Sequence, residues 1–130
     1  MRIALTGVIK DSFSSEDKLV KLASIAIEKM SSDAWIRDLL VGIKDNISQD
    51  KLDTLTSMAI VKMSHDSAIR PLFVGIKDNI SQDKLSELAS RAIEKMSDDY
   101  AMKEVLAKIK YKISQDQLNN LINQIRLNLP

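Results

Sequence analysis

The residues best equipped for chemistry sit in one short stretch, Ser64-His65-Asp66, which holds the only histidine of the chain. A hydroxyl, an imidazole and a carboxylate are the parts of a nucleophilic triad, but the imidazole must bridge the other two in space, and sequence neighbours rarely achieve that geometry. Two related stretches, Ser31-Ser32-Asp33 and Ser97-Asp98-Asp99, carry Ser32 and Asp98 where the histidine stands. The position therefore requires only a polar residue, and no catalytic residue is assigned. With no cysteine and a single histidine, thiolate nucleophiles are excluded and a metal would have to rely on carboxylates. Asp45-Asn46-Ile47-Ser48-Gln49-Asp50 has some of the content of a calcium loop. It lacks the central glycine and has isoleucine where the third-position ligand belongs, so it reads as a turn followed by a helix cap. Three glycines in the whole chain supply no phosphate-cradling loop. The expectation is a non-enzyme with no metal and no cofactor.

The elements that position these residues are set by self-similarity. Ile47-Ser48-Gln49-Asp50 returns as Ile80-Ser81-Gln82-Asp83 and as Ile113-Ser114-Gln115-Asp116, at a constant offset of 33 residues. Ser15-Glu16-Asp17-Lys18-Leu19 matches Ser48-Gln49-Asp50-Lys51-Leu52, while Ile9-Lys10-Asp11 needs one extra residue to align with Ile43-Lys44-Asp45.

Each unit reads as two helices, A and B. In helix A, Leu52, Leu55, Ala59, Ile60 and Met63 recur at helical spacing, as do Leu19, Leu22, Ala26, Ile27, Met30 and Leu85, Leu88, Ala92, Ile93, Met96. Ser15, Ser48, Ser81 and Ser114 are placed as N-caps of these helices, and an acid two residues on suits the positive end of the dipole. Helix B carries Ile36, Leu39, Leu40, Ile43, then Ile69, Leu72, Phe73, Ile76, then Met102, Val105, Leu106, Ile109, with Asp33, Asp66 and Asp99 placed to cap it. Val41 and Val74 widen this stripe, which predicts B helices toward the interior and A helices partly outside.

The chain thus reads as all-α: a short α-solenoid or helical array, with a leading half-unit near residues 1–12, three A–B hairpins, and a final helix from about Ser114 to Leu127. Asn119, Asn120, Asn123 and Gln124 give that last helix the polarity of a cap. A length of 130 residues, 45% hydrophobic, with 4% aromatics, fits one domain (1–130) whose core is aliphatic. The first ten residues hold too brief an apolar run for a signal peptide or a membrane span, so a soluble, cytoplasmic chain is expected. A net charge of +1 argues against a uniformly basic surface.

Residues that break the repeat are the candidates for specific function. Pro71 falls past the first turn of helix B, where it removes a backbone donor, and this predicts a restart or kink near Arg70 and a reshaped or recognition loop from Ser64 to Pro71. Gly42 and Gly75, late in helix B, either loosen a helix end or let helices approach. Trp35 stands where Ala68 and Ala101 stand, and either fills core space or anchors a partner. Tyr100 and Tyr111 have the same ambiguity. The leading functional expectation is a protein–protein interaction or adaptor module, with Trp35, His65, Arg70, Pro71 and Tyr100 as contacts for an unidentified protein or for a second copy of the chain. The alternative is nucleic-acid binding. Arg37 and Lys44, Arg70 and Lys77, and Lys103 and Lys110 are each seven residues apart, which places them on one face of successive B helices. Asp38, Asp45, Asp78 and Glu104 interleave with them, so this face also reads as an ordinary salt-bridged surface.

Overall fold

The structure, a computed structural model, describes residues 15–128. Seven α-helices are packed against one another: α1 (Ser15–Lys29), α2 (Asp33–Ile43), α3 (Gln49–Lys62), α4 (Asp66–Ile76), α5 (Gln82–Lys95), α6 (Asp99–Ile109) and α7 (Gln115–Asn128). Short 3₁₀ turns at Lys77–Asn79 and Lys110–Lys112 lead into α5 and α7, and no strand is present among the described residues. The leading half-unit expected near residues 1–12 lies outside them. No helix among the described residues is long and apolar enough to cross a membrane.

The apolar stripes decide the packing. α1, α3, α5 and α7 touch in series, α2, α4 and α6 touch in series, and the two rows meet where α2 packs on α1 and α3 and where α6 packs on α5 and α7. One continuous cluster of buried side chains runs from Ala23 to Ile125, built almost entirely from Ala, Ile, Leu, Val and Met around Phe73, the single buried ring among the described residues. Both rows keep a solvent face, with Ala34, Val74, Ala107 and Lys108 exposed on the B helices. Val41 and Val74, which widen the B stripe, lie at its margin and line a surface groove.

The ends of the helices use different groups from those the spacing suggests. Ser48 and Ser114 do cap, accepting from the backbone N–H of Lys51 (3.4 Å) and Gln117 (3.1 Å). Gln117 completes a capping box by accepting from the N–H of Ser114 at 2.9 Å. Ser81 instead donates its hydroxyl to Asp53 at 3.3 Å, and Ser15 is already helical. Burial pushes the Asp53 carboxyl above the usual range, although Ser81 partly offsets this. α3 and α5 end where Met63 and Met96 turn to extended backbone, which returns both side chains to the core. The caps of α2 and α6 are Ser32 and Asp98, and His65 holds the same position before α4 without a side-chain capping bond.

Asp33 and Asp66, one residue later, have another task. The Asp33 carboxylate accepts from the N–H groups of Ser64 and His65, both at 2.8 Å, and Asp66 accepts from Ser97 (3.2 Å) and Asp98 (2.8 Å). Each carboxylate therefore ties the start of one B helix to the turn before the next. Lysines add a second tie: Lys62 donates to the carbonyls of Glu28 (2.6 Å) and Met30 (3.0 Å), and Lys95 to those of Ile60 (2.7 Å) and Val61 (2.6 Å). Asp99 reaches no such turn; its Oδ1 is buried without a hydrogen-bond partner among the described residues, and its Oδ2 pairs with Lys103 at 3.3 Å.

The two glycines differ. A Cβ on Gly75 would lie 2.6 Å from Val41 Cγ2, so α2 and α4 approach too closely there for a side chain. A Cβ on Gly42 would meet nothing within 4 Å. Gly42→Ala is expected to raise stability by about 0.5–1 kcal/mol through helix propensity. Gly75→Ala is expected to lower it by about 1 kcal/mol, because stiff Val41 must move and overpacking outweighs the same gain. Urea unfolding of both variants checks the pair, and equal shifts would contradict the close approach.

Candidate interaction surface

A concavity of about 420 Å³ lies across α2, α4 and α6. Its apolar floor is formed by Val41, Pro71, Val74 and Gly75, and its rims by Arg37 and Asp38 on one side and Arg70, Glu104 and Lys108 on the other. The floor exists because Gly75 draws α2 and α4 together beneath it, leaving valine and proline side chains at the margin of the buried stripe. Pro71 does not interrupt the chain: Asp66–Ile76 is one helix that contains it, so the expected loop from Ser64 to Pro71 is a turn followed directly by helix. What the proline removes is the N–H that would bond the Ser67 carbonyl, and Ser67 is an exposed residue.

The candidate residues are gathered only in part. Arg70 and Pro71 share the groove, and Arg70 also joins Tyr100 in a smaller recess beside Asp66 and Asp98. The Tyr100 hydroxyl donates to Glu104 at 3.4 Å, and Arg70 pairs with the same carboxylate at 3.5 Å. His65 is exposed, but its Nδ1 lies 2.9 Å from the buried Asp33 carboxylate, so it belongs to the tie between units. The Ser64 hydroxyl is 3.4 Å from that same nitrogen. Asp33, not the adjacent Asp66, is the acid facing the imidazole, and Asp33 and Ser64 both lie on the same nitrogen, Nδ1. Trp35 lies apart, in a separate groove of about 370 Å³ with Met30, Asp38 and Leu39. Val41, Val74, Gly75 and Lys108 were not candidates from sequence; Val41 and Val74 carried a signal, as the residues that made the B stripe unusually wide.

Most of the basic residues of the proposed cationic face sit beside an acid. Arg37 pairs with Asp38 at 3.0 Å, Lys44 with Asp45 at 3.4 Å, Lys77 with Asp78 at 3.4 Å, and Lys103 with Asp99 at 3.3 Å. Lys110 lies over the Tyr111 ring, 5.0 Å from its centre. Hydrogen bonds from Asn79 and Lys44 hold the Asp45 carboxyl below its usual range, and those from Lys112 and Lys77 do the same for Asp78. These acids are thus charged companions of the cations at neutral pH. Among the described residues no group of three or more His, Asp or Glu side chains could hold a metal ion. No protein-family model, curated protein or solved structure matches the chain.

Proposed function

We propose that the chain is a short α-solenoid of 33-residue helical hairpins that acts as a protein–protein interaction or adaptor module, using the groove across α2, α4 and α6. The observation that carries the reading is the groove itself: an apolar floor open to solvent, bordered by Lys108 and by the ion pairs Arg37–Asp38 and Arg70–Glu104. Such a surface suits a partner that inserts an apolar side chain and meets the rim with polar groups. The serial packing of α1, α3, α5 and α7 and of α2, α4 and α6 supports the solenoid reading, since each unit then buries its face only against its neighbours. Nucleic-acid binding is the weaker proposal, because most of the B-helix cations already have an acid within reach and a phosphate would have to displace it.

The test is capture of binding proteins from a lysate of the native host, with nuclease treatment, by the wild type and by Val74→Glu. Val74 is exposed on a helix, so a glutamate there leaves the core intact. The expected result is a nuclease-resistant partner whose retention falls at least about tenfold with Val74→Glu, the equivalent of about 1.4 kcal/mol. Equal retention by both proteins would dismiss the groove. Recovery of nuclease-sensitive material alone would transfer the function to the cationic face, and recovery of the chain alone as a defined oligomer would point to self-association.

A further inference from the structure

The helices α2, α4 and α6 present rows of equivalent positions, one from each helix, at offsets of 33 residues. One row is Arg37, Arg70 and Lys103, and the next is Asp38, Pro71 and Glu104. A cation is followed by an acid on α2 and on α6, but on α4 the acid is replaced by Pro71. The consequences pass from helix to helix. Arg37 closes on its own neighbour Asp38 at 3.0 Å. Arg70 has no such neighbour, and Asp66, one turn before it, is taken up by the amides of Ser97 and Asp98. Arg70 therefore reaches across to Glu104 on α6 at 3.5 Å, where the Tyr100 hydroxyl also donates at 3.4 Å. Lys108 lies four residues after Glu104, the spacing at which a glutamate and a lysine pair along a helix. With Glu104 turned to Arg70, Lys108 forms no ion pair among the described residues.

Around the floor of Val41 and Val74, Arg37, Arg70 and Lys108 thus face only the two carboxylates of Asp38 and Glu104. The groove is one negative charge short, and the surplus sits on Lys108, where Gly42 and Gly75 stand in the earlier units. We propose that the occupant of this groove is an acidic segment of a partner protein, which sets an aliphatic or aromatic side chain on Val41 and Val74 and a carboxylate beside Lys108. The inference deepens the groove reading above and rests on it. Charge complementarity names the partner's chemistry and sets its direction, with the acid toward α6 and the apolar side chain over α2 and α4. A single carboxylate fits better than a run of phosphates, because successive phosphates would meet Asp38 and Glu104 on the same rim.

The probe is a displayed library of random short peptides, panned on the full chain at low salt. Enriched sequences are synthesised and titrated by fluorescence anisotropy against the wild type, Val74→Gln, Lys108→Gln and Lys108→Glu. Val74 and Lys108 are exposed on helices, so all three variants keep the core, which circular dichroism verifies. The expected sequences place Asp or Glu beside a large apolar residue, and Val74→Gln weakens them with no change of charge. Lys108→Gln should weaken them about twofold and Lys108→Glu at least about fivefold, with both effects shrinking as salt is raised. Peptides that Val74→Gln weakens but Lys108→Glu does not, or that are enriched in Lys and Arg, would overturn the acidic partner and leave the groove reading standing. Peptides indifferent to Val74→Gln, or a library that yields no binder, would overturn both. Displacement of the peptide by an equal concentration of duplex DNA would assign the groove to phosphates and sink the proposal as well.

Discussion

Phe73→Ala is expected to lower stability by about 3–5 kcal/mol, the largest loss from any single substitution considered for this chain. Phe73 is fully buried on α4 and is the one aromatic ring in the core among the described residues. Truncating it removes the apolar area of a ring and leaves a cavity that the surrounding α-helices cannot collapse to fill. The equivalent positions in the neighbouring units hold Leu40, fully buried, and Leu106, nearly so, so a leucine fits this location with modest adjustment. Phe73→Leu is accordingly expected to cost only about 1 kcal/mol. Against a total of roughly 5–15 kcal/mol for a domain of this size, that loss is a large fraction of the whole. Urea titrations followed by circular dichroism measure both values, and a loss under about 1.5 kcal/mol for Phe73→Ala would mean the core repacks freely around it.

The second large effect belongs to a polar group. Asp33→Ala is expected to cost about 2–3 kcal/mol, because two backbone N–H groups and an imidazole lose a charged acceptor together. Asp66→Ala, with two backbone donors at a more exposed carboxylate, should cost about 1–2 kcal/mol. Asp99→Ala should cost no more than about 0.5 kcal/mol, since that residue supplies only an exposed pair with Lys103 and a favourable charge at a helix start. The ranking Asp33, Asp66, Asp99 is the measurable claim. Equal losses at all three would show that their common role is at their own helix and not at the joint.

Acid should erase the first of these differences. Burial alone would raise the Asp33 carboxyl, but the hydrogen bonds from Ser64 and His65 outweigh it and hold the group below the usual 3.8. A carboxylate whose folded value is depressed stabilises fully above its unfolded value and loses that contribution as pH falls from there through the folded value. The gap between wild type and Asp33→Ala should thus be constant near neutrality and close below about pH 4. Asp53 acts in the opposite sense, because burial raises it and its charged form is the disfavoured one.

What could be read from the sequence were the features with a short period. The stripes of Leu52, Leu55, Ala59 and Ile60 or of Ile69, Leu72, Phe73 and Ile76 lie within single helices, where 3.6 residues per turn makes the buried face visible from spacing alone. The roles of Asp33 and Asp66 were not visible in this way. Each looks like an N-cap in its own helix, and only packing shows that its acceptor atoms meet amides 31 and 32 residues further on. Gly42 and Gly75 are indistinguishable in sequence, yet one faces open space and the other faces Val41, a difference made by an adjacent helix. Pro71 misled for a related reason. The cost of a missing donor depends on whether the orphaned carbonyl is buried, and that of Ser67 belongs to an exposed residue. The candidate site followed the same rule: Arg70 and Pro71 were legible as departures from the repeat, whereas Val41 and Val74 became groove residues only once two helices were brought together.

The joint built by Asp33 and Asp66 also bears on ancestry. Its donors are main-chain amides, which every residue type except proline carries, and its acceptor travels inside the unit that donates it. A copied stretch of 33 residues therefore arrives in the genome with both halves of the connection, able to accept the next unit and to be held by the previous one without any compensating mutation. Ser64-His65 and Ser97-Asp98 have drifted apart in side chain while keeping the same tie, and IKDNISQDKL survives intact in two places. On the proposed solenoid reading, lengthening by tandem copying would need no new joint to be invented.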